Sequence, residues 1–318
     1  MALIPLVVIV GPTASGKTRL AVDTALRYGG EVVSADSMQI YKGMDIGTAK
    51  PSLSEMRGVR HHMIDTVGPG DNFSVADYVK SAREAIEDIN ARGRLAIVAG
   101  GTGLYVDSLV SNTHFSPEAE SDPRLRAELR EKADREGGQA LLGELAQFDP
   151  ECAARLHPRD LGRIIRAVEV YRLTGVTMTE SQRRSRLAPK LYDCCRIGLR
   201  FADRQVLYER INRRVDEMFA VGLEHEAKSL LDRYGARALT SMQAIGYKEL
   251  LHYFEGEISL EEASETIKRG TRRYAKRQMT WFGHEASTHW IEADDEYANI
   301  CKQAFSFIDN SGLLCYNR

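Results

Sequence analysis

The chain has 318 residues, 43% of them hydrophobic, and a formal net charge of −2, which allows about two domains with a substantial core and excludes a strongly basic surface overall. Its five cysteines form no C-x-x-C pair, so a zinc site and a disulfide framework are disfavoured and a reducing compartment is expected. The apolar N-terminus lacks the basic leader of a signal peptide and no run reaches membrane-spanning length, so we expect a cytoplasmic protein without membrane contact.

The first motif is a phosphate-binding loop of the pattern G-x-x-x-x-G-K-[ST]. It follows the apolar run Leu6–Val10, which is typical of a strand buried on both faces, and it precedes apolar residues at helical spacing. In this context, backbone N–H groups and a helix N-terminus form an anion site. Lys17 adds a charge for the outer phosphates, and the Thr18 hydroxyl can ligate Mg²⁺. The motif predicts a di- or triphosphate site formed by Gly11, Pro12, Thr13, Ala14, Ser15, Gly16, Lys17 and Thr18.

Two further strands are predicted to end beside this loop. The short strand Glu31–Ser34 is followed by Asp36, and the strand Leu95–Ala99 runs into a glycine turn that contains Thr102. Open parallel sheets bind ligands at the carboxyl ends of their strands. We therefore expect Asp36 and Thr102 on the same rim as the phosphate loop.

The elements between and after these strands alternate in type. Segment 38–69 is irregular with a strand predicted at 62–64, and a helix is predicted from about Val75, capped by Asn72 or Ser74, to Gly93. From about 115 to 190 only helices are indicated, one of them beginning at Asp122-Pro123. The sheet is predicted to resume at 196–201, followed by a helix at 205–221, a helix that begins after Ser259 and reaches 281–282, a strand at 288–291 and a short helix.

These elements predict an α/β fold. Its core is a P-loop NTPase-like parallel sheet with helices on both faces, formed by residues 1–114 and 196–310. An all-helical insertion domain occupies 115–195, and residues 311–318 are expected to fray.

A basic run lies on the predicted helix after Ser259. The run has no acidic residue from 268 to 282, includes Tyr274 and Trp281 among its cations, and comprises Lys268, Arg269, Arg272, Arg273, Lys276 and Arg277. Such a run is typical of a solvated helix face. A basic face with aromatics is also suited to a nucleic-acid backbone, and the residues leave both interpretations open.

The chain lacks an apolar strand that ends in aspartate in the Walker-B manner, which disfavours motor and switch ATPases. The loop can therefore hold a phosphate that is not hydrolysed. Asp36 is a candidate proton acceptor, with Mg²⁺ ligation through water as the alternative. Thr102 is placed either to hydrogen-bond an acceptor substrate or to satisfy its own glycine turn.

Six blocks of sequence resemble the motif series of bacterial tRNA dimethylallyltransferases. They span nearly the whole chain in the family's order: GPTASGKT, SADSMQIYKGMDIGTAKP (34–51), GGTGLY (100–105), RIIRAVEVYRLTG (163–175), AIGYKE (244–249) and YAKRQMTWF (274–282). The resemblance implies transfer of a dimethylallyl group from dimethylallyl diphosphate to N6 of adenine 37 of tRNA, next to the anticodon, with release of diphosphate. In that family the loop holds the diphosphate of the prenyl donor, which accounts for the missing Walker-B pattern.

The resemblance also implies roles for individual residues. Asp36 matches the base that accepts the N6 proton, Thr102 matches a threonine of the reaction channel, and Lys17, Arg214 and Thr18 with Mg²⁺ match groups on the diphosphate. Gly162 stands where some members have glutamine. Residues that match tRNA-contacting positions are Asp36, Ser37, Met38, Gln39, Thr102, Arg126, Gly162, Arg163, Ile164, Ile165, Arg166, Gln243, Ala244, Ile245, Gly246, Tyr247, Lys248, Lys276 and Arg277. The implied partners are the tRNA anticodon stem-loop and dimethylallyl diphosphate, and we expect the protein to act as a monomer.

Two other classes of function share part of this pattern. An adenylate prenyltransferase or a small-molecule kinase would need the phosphate loop but no RNA-binding surface. A non-catalytic RNA-binding protein would need the basic helix but neither Asp36 nor Thr102, so the presence of the phosphate loop, Asp36 and Thr102 together speaks against it.

Overall fold

The computed structural model describes residues 3–113, 121–235 and 240–313. The chain divides into two compact units, one from residues 1–110 with 191–318 and one from residues 111–190. The insertion predicted at 115–195 therefore begins and ends about four residues earlier. Its end moves because the following strand begins at Tyr192, where it pairs with Ile4 at the start of the first strand, and not at Arg196 as predicted.

The first unit is built on a parallel sheet. Its strands within the described residues are β1 Ile4–Val10, β2 Glu31–Ser34, β3 His61–His62, β4 Ala96–Gly100, β5 Tyr192–Arg200 and β6 His289–Glu292. Their order is β3-β2-β4-β1-β5-β6, and every recorded pairing is parallel. Because β1 lies between β4 and β5, the order of strands reverses beside it, and such a point opens a crevice for ligands.

Helices cover the sheet of the first unit, and another set of helices forms the second unit. In the first unit before the insertion they are α1 Lys17–Tyr28, α2 Leu53–Met56, α3 Val75–Ala91 and α4 Gly103–Val110. The second unit contains α5 Pro123–Glu136, α6 Gly138–Phe148, α7 Pro150–Ala154, α8 Leu161–Thr174 and α9 Met178–Arg186. The first unit resumes with α10 Arg204–Ala220, α11 Leu223–Tyr234, a 3-10 turn Ser241–Gln243, α12 Tyr247–Phe254, α13 Leu260–Phe282 and α14 Tyr297–Asn310.

Side chains alternate along β1 between two hydrophobic cores. Val7 and Ile9 pack into the core shared with α1 and α14, whereas Leu6, Val8 and Val10 pack into the core shared with α3 and α4. Both faces of the sheet are therefore covered by helices, as the uninterrupted apolar run of β1 predicted. The fold is an α/β fold with a parallel sheet.

The predicted helix boundaries follow from local capping. Ser74 forms the capping box of α3, which decides between the two predicted caps, and Ser259 forms that of α13. Asp122 accepts hydrogen bonds from the amides of Arg124 and Leu125, with Pro123 at the first position of α5. Helix α13 reaches Phe282, as predicted.

Three predictions at element ends were wrong. Strand β3 is His61–His62 and not 62–64, because Met63 has a left-handed φ of 62° that cannot continue a strand. Helix α14 has 14 residues and is not short. Within the predicted fraying tail, Leu313 is buried in the core beside α14, while 314–318 lie outside the described residues.

Candidate active site

The phosphate loop joins β1 to α1 through a backbone of alternating handedness. Ala14 and Gly16 have φ values of 61° and 86°, and such left-handed residues turn neighbouring N–H groups towards a common anion. Gly11 has a positive φ, and a Cβ there would lie 2.6 Å from the Leu199 carbonyl oxygen. The Ser15 hydroxyl is buried and has no hydrogen-bond partner in the described part of the chain. The loop therefore keeps one unsatisfied polar group that a ligand could hydrogen-bond.

Two cations face this loop. Lys17 Nζ donates to the Pro12 carbonyl oxygen at 2.6 Å, and Arg214 of α10 donates to Thr13 Oγ1 at 3.2 Å and to the Ala49 carbonyl oxygen at 3.5 Å. Burial, together with repulsion from Arg214, lowers the pKa of Lys17 to about 7, although Asp36 acts against this. Burial also lowers the pKa of Arg214. Because burial disfavours the charged forms of both side chains, a polyanionic ligand that stabilises those charges should bind here.

Asp36 lies at the carboxyl end of β2, on the rim where the loop opens. Its Oδ1 accepts hydrogen bonds from the amides of Met38 at 2.9 Å and Gln39 at 3.4 Å. No described residue hydrogen-bonds to Oδ2. The hydrogen bonds to Oδ1 therefore fix the orientation of the carboxylate, and Oδ2 is left as an acceptor for a substrate.

Thr102, after β4, connects to the turn that follows Asp36. Its Oγ1 accepts from the Ser37 amide at 3.0 Å and donates to Ser37 Oγ at 3.3 Å, and its own amide donates to the Ala35 carbonyl oxygen at 3.0 Å. The Thr102 hydroxyl therefore serves the turn that follows Asp36 and not its own glycine turn. Its hydrogen bond to an acceptor substrate stays a prediction.

Most of these groups line one cavity of about 600 Å³, but Thr102 lies one residue beyond its lining. Loop residues 13–19 form one side, and Asp36 with the β4 turn 99–101 forms another. Three arginines spaced along one face of α10, Arg210, Arg213 and Arg214, also line it, with Tyr274 and Gln278 of α13. The remaining lining residues are Gln39, Thr48, Ala49, Pro51, Glu55 and Glu217. Burial raises the pKa of Tyr274 to about 12, and Asp36 adds to this, so its hydroxyl remains a donor at neutral pH.

Gln278 is a site residue that sequence reasoning missed. It is buried and hydrogen-bonds both the phosphate loop and the β4 turn. The available indication was its position, because Gln278 falls on the buried stripe of α13 together with Ala263, Ile267, Ala275 and Phe282. A polar residue on an otherwise apolar helix stripe needs partners.

Gln39 and Met38 hold the loop that follows β2. Gln39 Nε2 donates to the carbonyl oxygens of Thr48 and Ala49, and its Oε1 accepts from Ser34 Oγ at 3.1 Å. Met38 packs against the cluster around Ile40. Both side chains are half-buried, but only Gln39 also lines the cavity.

Segment 243–248 is more buried than a set of RNA contacts requires. Ala244, Gly246 and Tyr247 are buried, and Tyr247 Oη donates to Glu226 at 2.7 Å. Glu226 in turn accepts from the amides of residues 45–47, so the side chain of Tyr247 shapes a loop and does not face solvent. The exposed or half-exposed members are Gln243, Ile245 and Lys248.

The basic run on α13 is divided between paired and exposed cations. Lys268 pairs with Asp216 and Glu265, and Arg272 donates to Asn212 of α10. Arg273, Lys276 and Arg277 are exposed and make no ion pair with any described residue, and Arg277 lies 5.5 Å from the Tyr274 ring centroid. Arg269 is also exposed and donates to Thr266 Oγ1 at 3.2 Å. Both interpretations of the run stay open for its exposed cations.

Two of the residues predicted to contact tRNA, Arg126 and Arg166, bind the same buried carboxylate of the second unit, that of Glu169. Glu169 accepts from Arg126 at 2.8 and 3.0 Å, from Arg166 at 2.6 Å and from the Asp122 amide at 2.9 Å. Gly162 and Arg163 are exposed beside them. Ile164 and Ile165 instead belong to the core of this unit, so their side chains are unavailable for the RNA contact that the resemblance implied.

Known proteins match the chain over nearly its whole length. The family model for IPP transferase matches residues 39–285. A tRNA dimethylallyltransferase of Caldanaerobacter subterraneus subsp. tengcongensis is 52% identical over 313 residues, covering 96% of this chain and 98% of the relative. One from Geobacillus thermodenitrificans is 50% identical over 305 residues, covering 95% and 96%.

Solved structures agree with these matches. The full-length tRNA isopentenylpyrophosphate transferase of Bacillus halodurans is 45% identical, with a TM-score of 0.73 over 97% of this chain and 96% of that one. A eukaryotic dimethylallyltransferase described as acting on tRNA is 29% identical, with a TM-score of 0.81 over 96% of this chain and 80% of that one.

Proposed function

The chain belongs to the tRNA dimethylallyltransferase family, and from that premise we propose how its cavity performs prenyl transfer. The enzyme transfers a dimethylallyl group from dimethylallyl diphosphate to tRNA. In the proposed arrangement the phosphate loop binds the donor's diphosphate, and the rim formed by Asp36 and Thr102 receives N6 of adenine 37. The observation that carries this arrangement is a single cavity with a cationic loop on one side and a carboxylate on the neighbouring strand ends.

The chemistry needs a strong electrophile, because the exocyclic amine of adenine is a weak nucleophile. Cleavage of the allylic C–O bond gives a delocalised carbocation, while the bonding electrons leave with diphosphate. Lys17, Arg214 and the loop amides stabilise the negative charge that grows on the leaving oxygen. The N6 lone pair forms the new C–N bond, and the N6 proton passes to the Asp36 carboxylate through the oxygen that no described residue occupies.

A magnesium ion fits the same end of the cavity. The donors there are hydroxyls, which suit Mg²⁺, and Ser15 Oγ is buried without a partner among the described residues. We propose that the hydroxyls of Thr18 and Ser15 would hold such an ion. When bound, it would neutralise charge on the leaving group.

The RNA surface is proposed from exposed cations. Arg273, Lys276 and Arg277 on α13 and the arginines around Glu169 in the second unit are suited to phosphate oxygens. Adenine must leave its stack to reach the Asp36 rim, which costs a few kcal/mol. Phosphate contacts made elsewhere on the tRNA can offset that cost.

Location and assembly are part of the proposal. The described helices include none with the length and apolarity needed to cross a bilayer, and the described cysteines, 152, 194, 195 and 301, form no disulfide with one another. We propose a cytoplasmic enzyme that acts as a monomer on the anticodon stem-loop.

The test compares acceptors for labelled dimethylallyl diphosphate. The purified protein should prenylate an anticodon stem-loop with adenine at position 37, and the same stem-loop with guanine at that position should remain unmodified. AMP should also remain unmodified. Prenylation of AMP alone would replace this function with that of an adenylate prenyltransferase. Transfer of phosphate from ATP to a small molecule, with no prenylation of the stem-loop, would replace it with that of a kinase.

A further inference from the structure

Gln278 lies between the loop that faces the donor and the turn that faces the acceptor. Its Oε1 accepts from the Thr13 amide at 2.9 Å, and its Nε2 donates to the Gly101 carbonyl oxygen at 3.0 Å. The residue is 4% exposed. A primary amide carries an acceptor and a donor on one side chain, which is what two main-chain partners of opposite polarity require.

The β4 turn is shaped to receive this amide. A Cβ at Gly101 would lie 2.1 Å from Gln278 Nε2, so a glycine is needed for the side chain to reach the main chain. The next residue is Thr102, whose Oγ1 accepts from the Ser37 amide beside Asp36. One continuous hydrogen-bonded path thus runs from the phosphate loop through Gln278 to the turn that holds Asp36.

We propose that Gln278 is a positioning residue that sets the separation between the diphosphate-binding loop and the Thr102 turn. Resting on the proposed prenyl transfer, this assignment means that Gln278 fixes the distance between the donor carbon and the attacking amine without touching either substrate. A misplacement of about 1 Å between reacting groups can cost on the order of 10²-fold in rate. The main effect of losing Gln278 should therefore fall on turnover.

Two substitutions separate the hydrogen bonds from the volume of the side chain. Gln278→Met keeps the size and removes both bonds, and Gln278→Glu keeps the acceptor but loses the donor when ionised. We expect kcat to fall about 10- to 100-fold in each at neutral pH. In Gln278→Met the donor KM should change by less than about threefold, because the loop's own contacts to diphosphate are intact. Ile267→Val, a buried change on the same helix in a separate core cluster, is the matched control: it should lower the melting temperature without lowering kcat.

The Gln278→Glu variant adds a readout that a merely structural residue would not give. When protonated, the introduced carboxyl group could donate to the Gly101 carbonyl oxygen as the amide does. The ratio of this variant's kcat to that of the wild type should therefore rise as pH falls. The ratio for Gln278→Met should stay flat, since methionine does not titrate.

Amide hydrogen exchange tests the contact of Gln278 with the phosphate loop and the β4 turn independently of catalysis. Peptides covering 11–16 and 99–103 should exchange faster in Gln278→Met than in the wild type and in Ile267→Val. Three outcomes would overturn the proposal. These are a wild-type kcat in both Gln278 variants, a loss of activity that matches only the fraction of unfolded protein, and unchanged exchange in both peptides. A wild-type protein that exchanges as expected but does not prenylate tRNA would instead refute the proposed function and leave the positioning role of Gln278 supported.

Discussion

The Ser37 amide donates a hydrogen bond of 3.0 Å to Thr102 Oγ1 across 65 positions of sequence. This bond joins the turn after β2 to the turn after β4, next to the cavity-lining residues Asp36 and Gly101. Because Ser37 directly follows Asp36, the orientation of the proposed base depends on a hydroxyl supplied by another strand.

Replacement of Thr102 should therefore affect the base. Thr102→Val keeps the shape but removes the acceptor, and leaves the Ser37 amide without its partner. We expect kcat to fall about 10- to 100-fold, and Thr102→Ser to restore most of it. Steady-state kinetics with a stem-loop acceptor measures this, and a fully active valine variant would show that the bond has no part in turnover.

Asp36→Asn tests the base itself. Asparagine retains the carbonyl acceptor for the Met38 amide but cannot take up a proton at neutral pH. Single-turnover prenylation should slow by on the order of 10²–10⁴, while donor and tRNA still bind. If raised Mg²⁺ restores the rate, the carboxylate acts through the metal and the general-base assignment is wrong.

Lys17 should make donor binding depend on pH. Its pKa in the free protein is about 7, and the charge of a bound diphosphate must raise it. Binding should thus be strongest below pH 7 and weaken above it, by up to about tenfold per pH unit, as the complex takes up a proton that the free lysine has lost.

Calorimetry in buffers of different ionisation enthalpy counts that proton. Between pH 7.5 and 8.5 we expect uptake of nearly one proton per donor bound by the wild type, and almost none by Lys17→Met, which should also bind more weakly. Equal proton uptake in both proteins would remove Lys17 from the diphosphate site.

The exposed cations of α13 should determine the salt dependence of tRNA binding. Replacing Arg273, Lys276 and Arg277 with alanine should reduce the slope of log affinity against log salt by about 2–3 and leave donor binding unchanged. Lys268→Ala is the control, since that lysine is engaged by Asp216 and Glu265. An unchanged slope in the triple variant would assign this face to solvent.

Glu169 should stabilise the second unit. Its carboxylate is fully buried, whereas Arg126 and Arg166 are 44% and 34% exposed. Glu169→Gln should cost about 1–3 kcal/mol of unfolding free energy, less than a buried pair whose surviving partner cannot reach water. Urea unfolding measures this. The exposed pair Glu151–Arg183 provides the control, because Glu151→Gln should change stability by less than about 1 kcal/mol.

Local patterns in the sequence were sufficient for the phosphate loop and for the starts of α5 and α13, and they narrowed the start of α3 to two caps. Each depends on residues within a few positions of one another: the glycines and Lys17 of the loop, the capping box of Ser74, and Asp122 with Pro123. The rim position of Asp36 was also predictable, since consecutive parallel strands bring their carboxyl ends to one edge of a sheet.

Only the tertiary structure decided which of these groups depend on one another. Gln278 meets Thr13 across 265 positions and Gly101 across 177, and Glu226 meets the 45–47 loop across about 180. The tertiary structure also shows that Lys268 is paired whereas Lys276, in the same basic run, is exposed. It further shows that Ile164 and Ile165 lie in the core of the second unit. Capping and periodicity act between neighbours in the chain, whereas hydrogen bonds, ion pairs and burial depend on elements that meet only after the sheet order is fixed.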